Sequence, residues 1–438
     1  MKFFLFLISM FSMVAFSQTE VSESGPSLID LNPRLTYLMT EPNQELRKEL
    51  VLLEERQKGY MDNQGLTLGT QLIAIGNYQK SNRNSKFGYL MRHPTSANQI
   101  GFEVSEAVIH SWKLSAVGSV NNWISAFAEL MYDPQQSFGA GATITGLSRN
   151  QLQLRQGYVL FGDLNKLPLY FSLGKMNGPF GQQGSVSPFT NSTMWHAFAP
   201  VAYGAQLGIK TNNFNAVVMA VQGGAQFRSA NTPVAGTNVP SRINNGIADV
   251  NYTFRFGDKS SFKFGGSYIL GCAYCLEFPV MHFNACTEAN PAYTVYGKFL
   301  VKERLQIQAS WANTVNEWKG TYNPTPPLDI FLAAKVTALE AGAKYDFKIG
   351  DEVTYSLSVE FSNYIAGAPG SPWEFQNQYI TGFSALIKRS SRLFIEGFRT
   401  EGFVPLNFLS GGNLPPGQTI SDRGAKSHGV IVGAMLTF

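Results

Sequence analysis

Apart from its first residues, the sequence has no run of about 18 apolar residues, so no helix in it can cross a bilayer. Charge is sparse: only 15% of the 438 residues are Asp, Glu, Lys or Arg, and the formal net charge is +4. Lys and Arg are not clustered, which argues against a nucleic-acid partner. Cysteine is scarce too, with three in the chain, Cys272, Cys275 and Cys286, all in one short stretch. Cys275 is followed by Leu276 rather than histidine, which excludes a Cys-x-x-Cys-His haem attachment. In an exported chain this stretch reads as a loop disulfide joining Cys286 to Cys272 or Cys275, in preference to a metal site. His110, His196, His282 and His428 are scattered with no nucleophile signature beside them, so neither an enzyme nor a cofactor is expected.

What the chain has instead is alternation. It is 44% apolar and 13% aromatic with 42 glycines, yet its mean hydropathy is near zero. Apolar and polar residues must therefore nearly cancel along it. Met1 to Ser17 read as a secretory signal, with Lys2 as the basic start, Phe3 to Ala15 as the apolar core and Ala15-Phe16-Ser17 as the cleavage site. From Leu66 onward the apolar period is two. Ala248, Val250, Tyr252, Phe254 and Phe256 alternate with Asp249, Asn251, Thr253 and Arg255; Val353, Tyr355, Leu357, Val359 and Phe361 alternate with Thr354, Ser356, Ser358 and Glu360. Each such segment is a strand with one greasy and one wet face.

The pattern gives about sixteen strands, starting at about residues 66, 101, 123, 150, 167, 201, 214, 244, 261, 291, 303, 333, 352, 377, 392 and 427. Short connections such as Asn121-Asn122, Asn212-Asn213 and Ile349 to Asp351 alternate with long ones such as Met176 to Pro200 and Cys272 to Pro291. The last stretch, Gly429 to Phe438, places Val430, Val432, Ala434, Leu436 and the terminal Phe438 on one face. It resembles the closing strand and assembly signal of bacterial outer-membrane barrels. The expected fold is a closed antiparallel transmembrane β-barrel over residues 66–438, with short periplasmic turns and long external loops. It belongs in the outer membrane of a Gram-negative cell, with membrane lipid around it and the barrel-assembly machinery as partner of the closing strand; a homo-oligomer is compatible with it.

Residues 18–65 form a separate periplasmic segment. Thr40, Glu41 and Pro42 are expected to open a helix that Gly59 ends, with Leu46, Leu50 and Leu53 as its apolar stripe. So short a charged helix needs a partner, either its symmetry mates or the periplasmic rim. The alternative is a solvated charged linker.

The lumen-facing positions carry Arg155, Arg255, Lys263, Lys298, Lys344 and Arg392 together with Glu129, Asp249, Glu340, Asp346, Glu360 and Glu396. The signs balance, so these groups are expected to pair across neighbouring strands and keep the bore wet rather than form a selectivity ring. Among the external connections, Met176 to Pro200 stands out. Phe189, Trp195 and His196 stand there among Gly, Ser and Thr, suited to line a pore mouth and meet a ligand; packing on neighbouring elements as a rigid lid is the alternative.

Four features together carry a family resemblance: the charged helix at Glu41 to Lys58, the block LPLYFSLGKMNGPFGQQGSVSPFTNSTMWHAFAP at Leu167 to Pro200, the following VAYGAQLGIK, and the terminal aromatic strand. The chain resembles the LbtU-like siderophore porins of the gamma-proteobacterial outer membrane. The resemblance implies uptake of a small chelated-iron ligand, a ferric siderophore, without the large amino-terminal plug of energy-coupled receptors, for which residues 18–65 are too few. A general or substrate-selective diffusion porin unrelated to iron is the other function the barrel allows.

Overall fold

The computed structural model describes residues 29–61, 64–84, 101–132, 152–181, 184–222, 243–257, 259–275, 288–402, 417–419 and 421–438. The signal segment, Cys286 and most of the first, second, fourth and eighth long connections lie outside the described residues.

A short strand β1 (Ile29–Leu31) and helices α1 (Pro33–Thr40) and α2 (Lys48–Gln57) precede the barrel. The sixteen barrel strands are β2 (Gly65–Ser81), β3 (Glu103–Ser119), β4 (Ile124–Tyr132), β5 (Leu152–Phe161), β6 (Leu169–Asn177), β7 (Val201–Lys210), β8 (Phe214–Gln222), β9 (Ile243–Phe256), β10 (Ser260–Ile269), β11 (Ala292–Val301), β12 (Leu305–Thr314), β13 (Thr337–Lys348), β14 (Val353–Ile365), β15 (Phe375–Ile387), β16 (Ser391–Gly402) and β17 (Lys426–Thr437). Each pairs antiparallel with its neighbour in sequence, and β17 returns to pair with β2. Closure satisfies every edge, which is what a lipid environment without water demands. The terminal residue takes part, since Phe438 exchanges both backbone hydrogen bonds with Thr70, at 2.9 and 3.0 Å.

Alternation decides the two faces. Leu72, Val432, Leu357, Val359 and Phe264 point outward, while Gln71, Asn77, Ser358 and Glu360 of the same or adjacent strands are inside. Near the short-turn end the outer face carries an aromatic belt. Phe262 lies 6.3 Å from both Phe254 and Phe299, and Tyr355 stacks between Phe347 and Phe383 at 5.5 and 5.9 Å. Such rings favour the lipid headgroup level.

The segment before the barrel departs from expectation. Helix α1 starts earlier, with Asn32 Oδ1 accepting the Leu35 N–H at 2.9 Å and Pro33 in the first turn. Thr40 ends that helix instead of opening the next. The Glu41 carboxylate then accepts the N–H groups of Asn43 and Gln44 at 2.9 and 2.6 Å, which holds 41–47 as an unwound turn. Helix α2 follows and stops at Gly59, whose φ of +75° suits glycine.

Candidate functional site: a bore crossed by two segments

Helices α1 and α2 of the pre-barrel segment are inside the barrel. Part of the lumen face of β3 to β6 is apolar, and Leu50, Leu52 and Leu53 of α2 are buried against a cluster containing Val117, Phe127, Tyr158, Leu160 and Tyr170. A wet bore gives such residues no reason to be there; a helix lying on them does. Charges of the segment that a rim helix would leave in water are satisfied by the wall or by the segment itself. Arg47 donates to Tyr170 Oη at 2.9 Å and pairs with Glu49 at 2.7 Å, and Arg56 donates to the Asn122 carbonyl at 2.9 Å and to Ser125 Oγ. Lys48 closes the turn between the helices by donating to the carbonyls of Leu38 and Glu41, at 2.7 and 2.9 Å. The expected placement of 18–65 at the periplasmic rim is thus corrected for helices α1 and α2 and the turn between them, whereas β1 is exposed and pairs with Leu66–Leu68 at the start of β2. Helices α1 and α2 with the turn between them form a small plug of their own, because the wall offers an apolar seat and partners for Arg47 and Arg56.

The second inserted segment is the third long connection, 178–200, here L3. Three lumen carboxylates on the far wall grip it. Glu360 accepts from Ser185 Oγ at 2.6 Å and the Val186 N–H at 2.9 Å; Glu396 accepts the N–H groups of Phe189 and Thr190 at 2.6 and 3.1 Å; Glu340 accepts from Ser192 Oγ at 2.8 Å. Ser192 also caps helix α3 (Thr193–Phe198), taking the Trp195 N–H at 3.1 Å. On the opposite side, Asp249 accepts from Ser267 Oγ at 2.6 Å, and Ser267 Oγ accepts the Gly181 N–H at 2.8 Å. L3 therefore spans the bore between β9–β10 and β13–β16. Two glycines make room for it: a Cβ at Gly342 would stand 2.6 Å from Val186 Cγ2, and one at Gly382 2.6 Å from Pro188 Cδ.

The two segments form one obstruction. Asn43 Nδ2 donates to the Ser187 carbonyl at 3.0 Å, Asn177 Nδ2 donates to the Leu46 carbonyl, and Leu46 packs on Trp195. Arg392 of β16 ties wall, plug and loop together, donating to Glu41 Oε1 and to the Pro188 carbonyl, both at 3.1 Å.

These contacts correct the expected roles of several residues. Phe189, Trp195 and His196 are 0%, 3% and 2% exposed, the packed arrangement expected as the alternative to an open pore mouth. Phe189 stacks on Phe394 at 5.2 Å and meets the edge of His110 at 4.9 Å. His110 reaches it because a bulge opposite Ile73 and Ala74 turns both His110 and Ser111 inward. Among the described residues Glu360 pairs with no cation on a neighbouring strand; it receives loop donors. Arg255 lies on the exposed short-turn end, where it clamps Asn212 and Asn213 at 2.8 and 3.0 Å. Asp249 is buried under Ser267, Tyr296 and Asn251. Arg155, beside a bulge in the β4–β5 pairing, lines a cavity of about 40 Å³ with Lys113, Glu129 and Trp195. Cys275 is disulfide-bonded, whereas Cys272 is a free thiol. Cys272 is buried in the aromatic cluster of Tyr274, Tyr364 and Trp318, and that burial pushes the thiol up to about 12.

The open volume that remains, about 260 Å³, lies between the two segments and the wall from β8 to β16. Lys263, Lys298 and Lys344 line it, with Asp346 and with Glu45 of the plug. Each lysine stands within a few residues of a short turn, so the space faces the periplasmic end.

No protein-family model matches the chain. The UPF0422 protein of Coxiella burnetii is 24% identical over 322 residues, covering 71% of this chain and 62% of that protein. The UPF0422 protein lpg2959 of Legionella pneumophila is 26% identical over 171 residues, 38% of this chain and 29% of its own length. The chain thus spans less than two thirds of the length of the curated relatives it matches. Among solved structures, the anion-selective porin from Comamonas acidovorans superposes with a TM-score of 0.52 at 13% identity, over 85% of this chain and 99% of that one. Pseudomonas putida OprB gives 0.52 at 10%, over 91% and 99%. The fold is that of a porin. The barrel belongs to the outer membrane of a Gram-negative cell.

Proposed function

We propose that the protein is a gated, solute-selective uptake channel of the outer membrane, and that its solute is a small polar chelated-iron ligand. The observation that carries the gating is the joined obstruction of the α1–α2 segment and L3, beside which a cavity of about 260 Å³ is left among the described residues. Support for the iron ligand comes from the resemblance of the Leu167 to Lys210 block to the LbtU-like siderophore porins. The other reading, a diffusion porin, draws on the anion-selective porin whose fold the chain shares. Growth of a deletion strain on iron-limited medium with defined siderophores separates the two. Loss of growth on one siderophore, restored by the intact gene, is the expected result. Unchanged use of every siderophore together with lowered general solute permeability would establish the diffusion porin instead.

A further inference from the structure

Lys263 of β10 and Lys298 of β11 are directly opposite each other in the strand pairing, and both face the 260 Å³ cavity. Directly opposed side chains have their Cβ atoms about 5 Å apart, and like charges so placed repel. Among the described residues neither lysine has a hydrogen bond or an ion pair. Lys344, two strands further round, adds a third ammonium and pairs with Asp346 at 3.3 Å. A barrel interior has no reason to keep two cations facing each other in an enclosed polar space unless an anion joins them. The plug supplies one: Glu45 is exposed to the same cavity. Enclosure acts to raise the Glu45 carboxyl, and Lys263, the Arg47 N–H and Lys298 outweigh it, holding it below the ordinary carboxylate range.

We infer that Lys263 and Lys298 form an anion-binding subsite for a compact dianion, a dicarboxylate or a phosphate, which competes there with Glu45 of the inserted segment. Each ammonium offers three donors and no acceptor, so the pair suits a ligand with two anionic groups. The volume lies just below the roughly 300 Å³ at which small-ligand pockets begin, which favours a compact anion while both segments are in place. An anion arriving from outside or from the periplasm would free Glu45 and so loosen the plug at the cavity. The inference stands on the lysine pair and holds or fails independently of iron uptake.

The test is binding of succinate and of inorganic phosphate to the full-length protein in detergent, followed by titration calorimetry, with uncharged succinamide as control. In the Lys263→Gln, Lys298→Gln double variant, affinity is expected to fall about tenfold or more, since it removes both charged donors. Glu45→Gln is expected to bind more tightly than wild type by several-fold, because it removes the competitor. Lys388→Gln, at an exposed short turn, should behave as wild type. Which of the two probes binds more tightly tells carboxylate from phosphate. Equal affinity in wild type and the double variant, weaker binding by Glu45→Gln, or no binding by either wild type or Glu45→Gln would each overturn the inference. Heat-modifiable migration on gels checks that each variant folds, and Lys298→Gln alone serves if the double variant does not.

Discussion

The two sides of the barrel interior are built for opposite tasks. From β3 to β6 the inward positions include Val117, Phe127, Tyr158, Leu160 and Tyr170, which α2 packs against, beside polar ones such as Lys113, Glu129 and Gln156. From β9 to β16 the inward positions carry Asp249, Lys263, Lys298, Glu340, Lys344, Glu360 and Glu396, and they meet backbone amides, hydroxyls or open space. The apolar side fixes a segment by removing it from water, a non-directional attraction that sets location but not exact register. The charged side fixes L3 by hydrogen bonds to particular N–H and O–H groups, which set register as well. A channel that must open is better served by release from the second kind of contact, since ions and water can replace it.

The largest expected effect comes from spoiling the apolar side. Leu53 is 1% exposed and lies against the β3–β6 cluster. In Leu53→Asp an unpaired charge would be buried there at a cost of about 3–5 kcal/mol, more than the seat can offset. The strand ladders are untouched, so the barrel should stay folded by heat-modifiable migration while the plug leaves the bore. Single-channel conductance should then rise well above that of wild type. A wild-type conductance in a folded Leu53→Asp barrel would show that the plug does not limit the pore.

Much of this arrangement was open to reading in the sequence. The strands were, because each must show lipid one face and water the other, and their observed starts lie close to those that alternation gives: Gly65 for 66, Ile243 for 244, Ser391 for 392. The plug was not read, although two signals for it were present. Asn32-Pro33 is a regular helix start, and the inward-facing Phe127, Tyr158, Leu160 and Tyr170 are too apolar for a water-filled bore. Alternation counts greasy residues on the lipid side and does not ask whether the wet side is wet. The grip of Glu340, Glu360 and Glu396 on L3 was out of reach for another reason: Glu396 and Phe189 are separated by 207 positions, and no local pattern links them. For the same reason Phe189, Trp195 and His196 read equally as ligand contacts or as packing, and their burial is visible only in the fold.

Loosening the charged side should cost less than spoiling the apolar one. Glu396 accepts the N–H groups of Phe189 and Thr190 and the Thr190 hydroxyl. Glu396→Gln keeps the shape and one acceptor oxygen but loses the charge, worth about 1.5–3 kcal/mol for hydrogen bonds of this kind. L3 should detach in part while α2 stays on its seat, giving a conductance between those of wild type and Leu53→Asp. A Glu396→Gln channel as conductive as Leu53→Asp would mean that the two sides do not hold separate segments.

The smallest effect should come from the place where the two segments touch. A Cβ at Gly184 would stand 2.3 Å from the Gln44 carbonyl oxygen and 2.8 Å from that of Asn43. Both are backbone atoms, and the Gln44 N–H is already held by Glu41 at 2.6 Å, so the plug cannot turn aside without giving up that bond. L3 is held as firmly on its other side by Glu360 through Ser185 and Val186. Gly184→Ala must therefore push the segments apart, with an overpacking cost of about 1–3 kcal/mol, since both atoms the added methyl meets are backbone. Neither segment loses its seat, so the mean conductance should change little. What should increase is the frequency of brief transitions to a higher level in single-channel recordings, as the plug and L3 separate and rejoin. Gly118, whose added Cβ would meet nothing within 4 Å, supplies the control. If Gly184→Ala and Gly118→Ala give the same quiet traces, the plug and L3 move as independent bodies and the single obstruction drawn from Asn43, Leu46 and Arg392 is wrong.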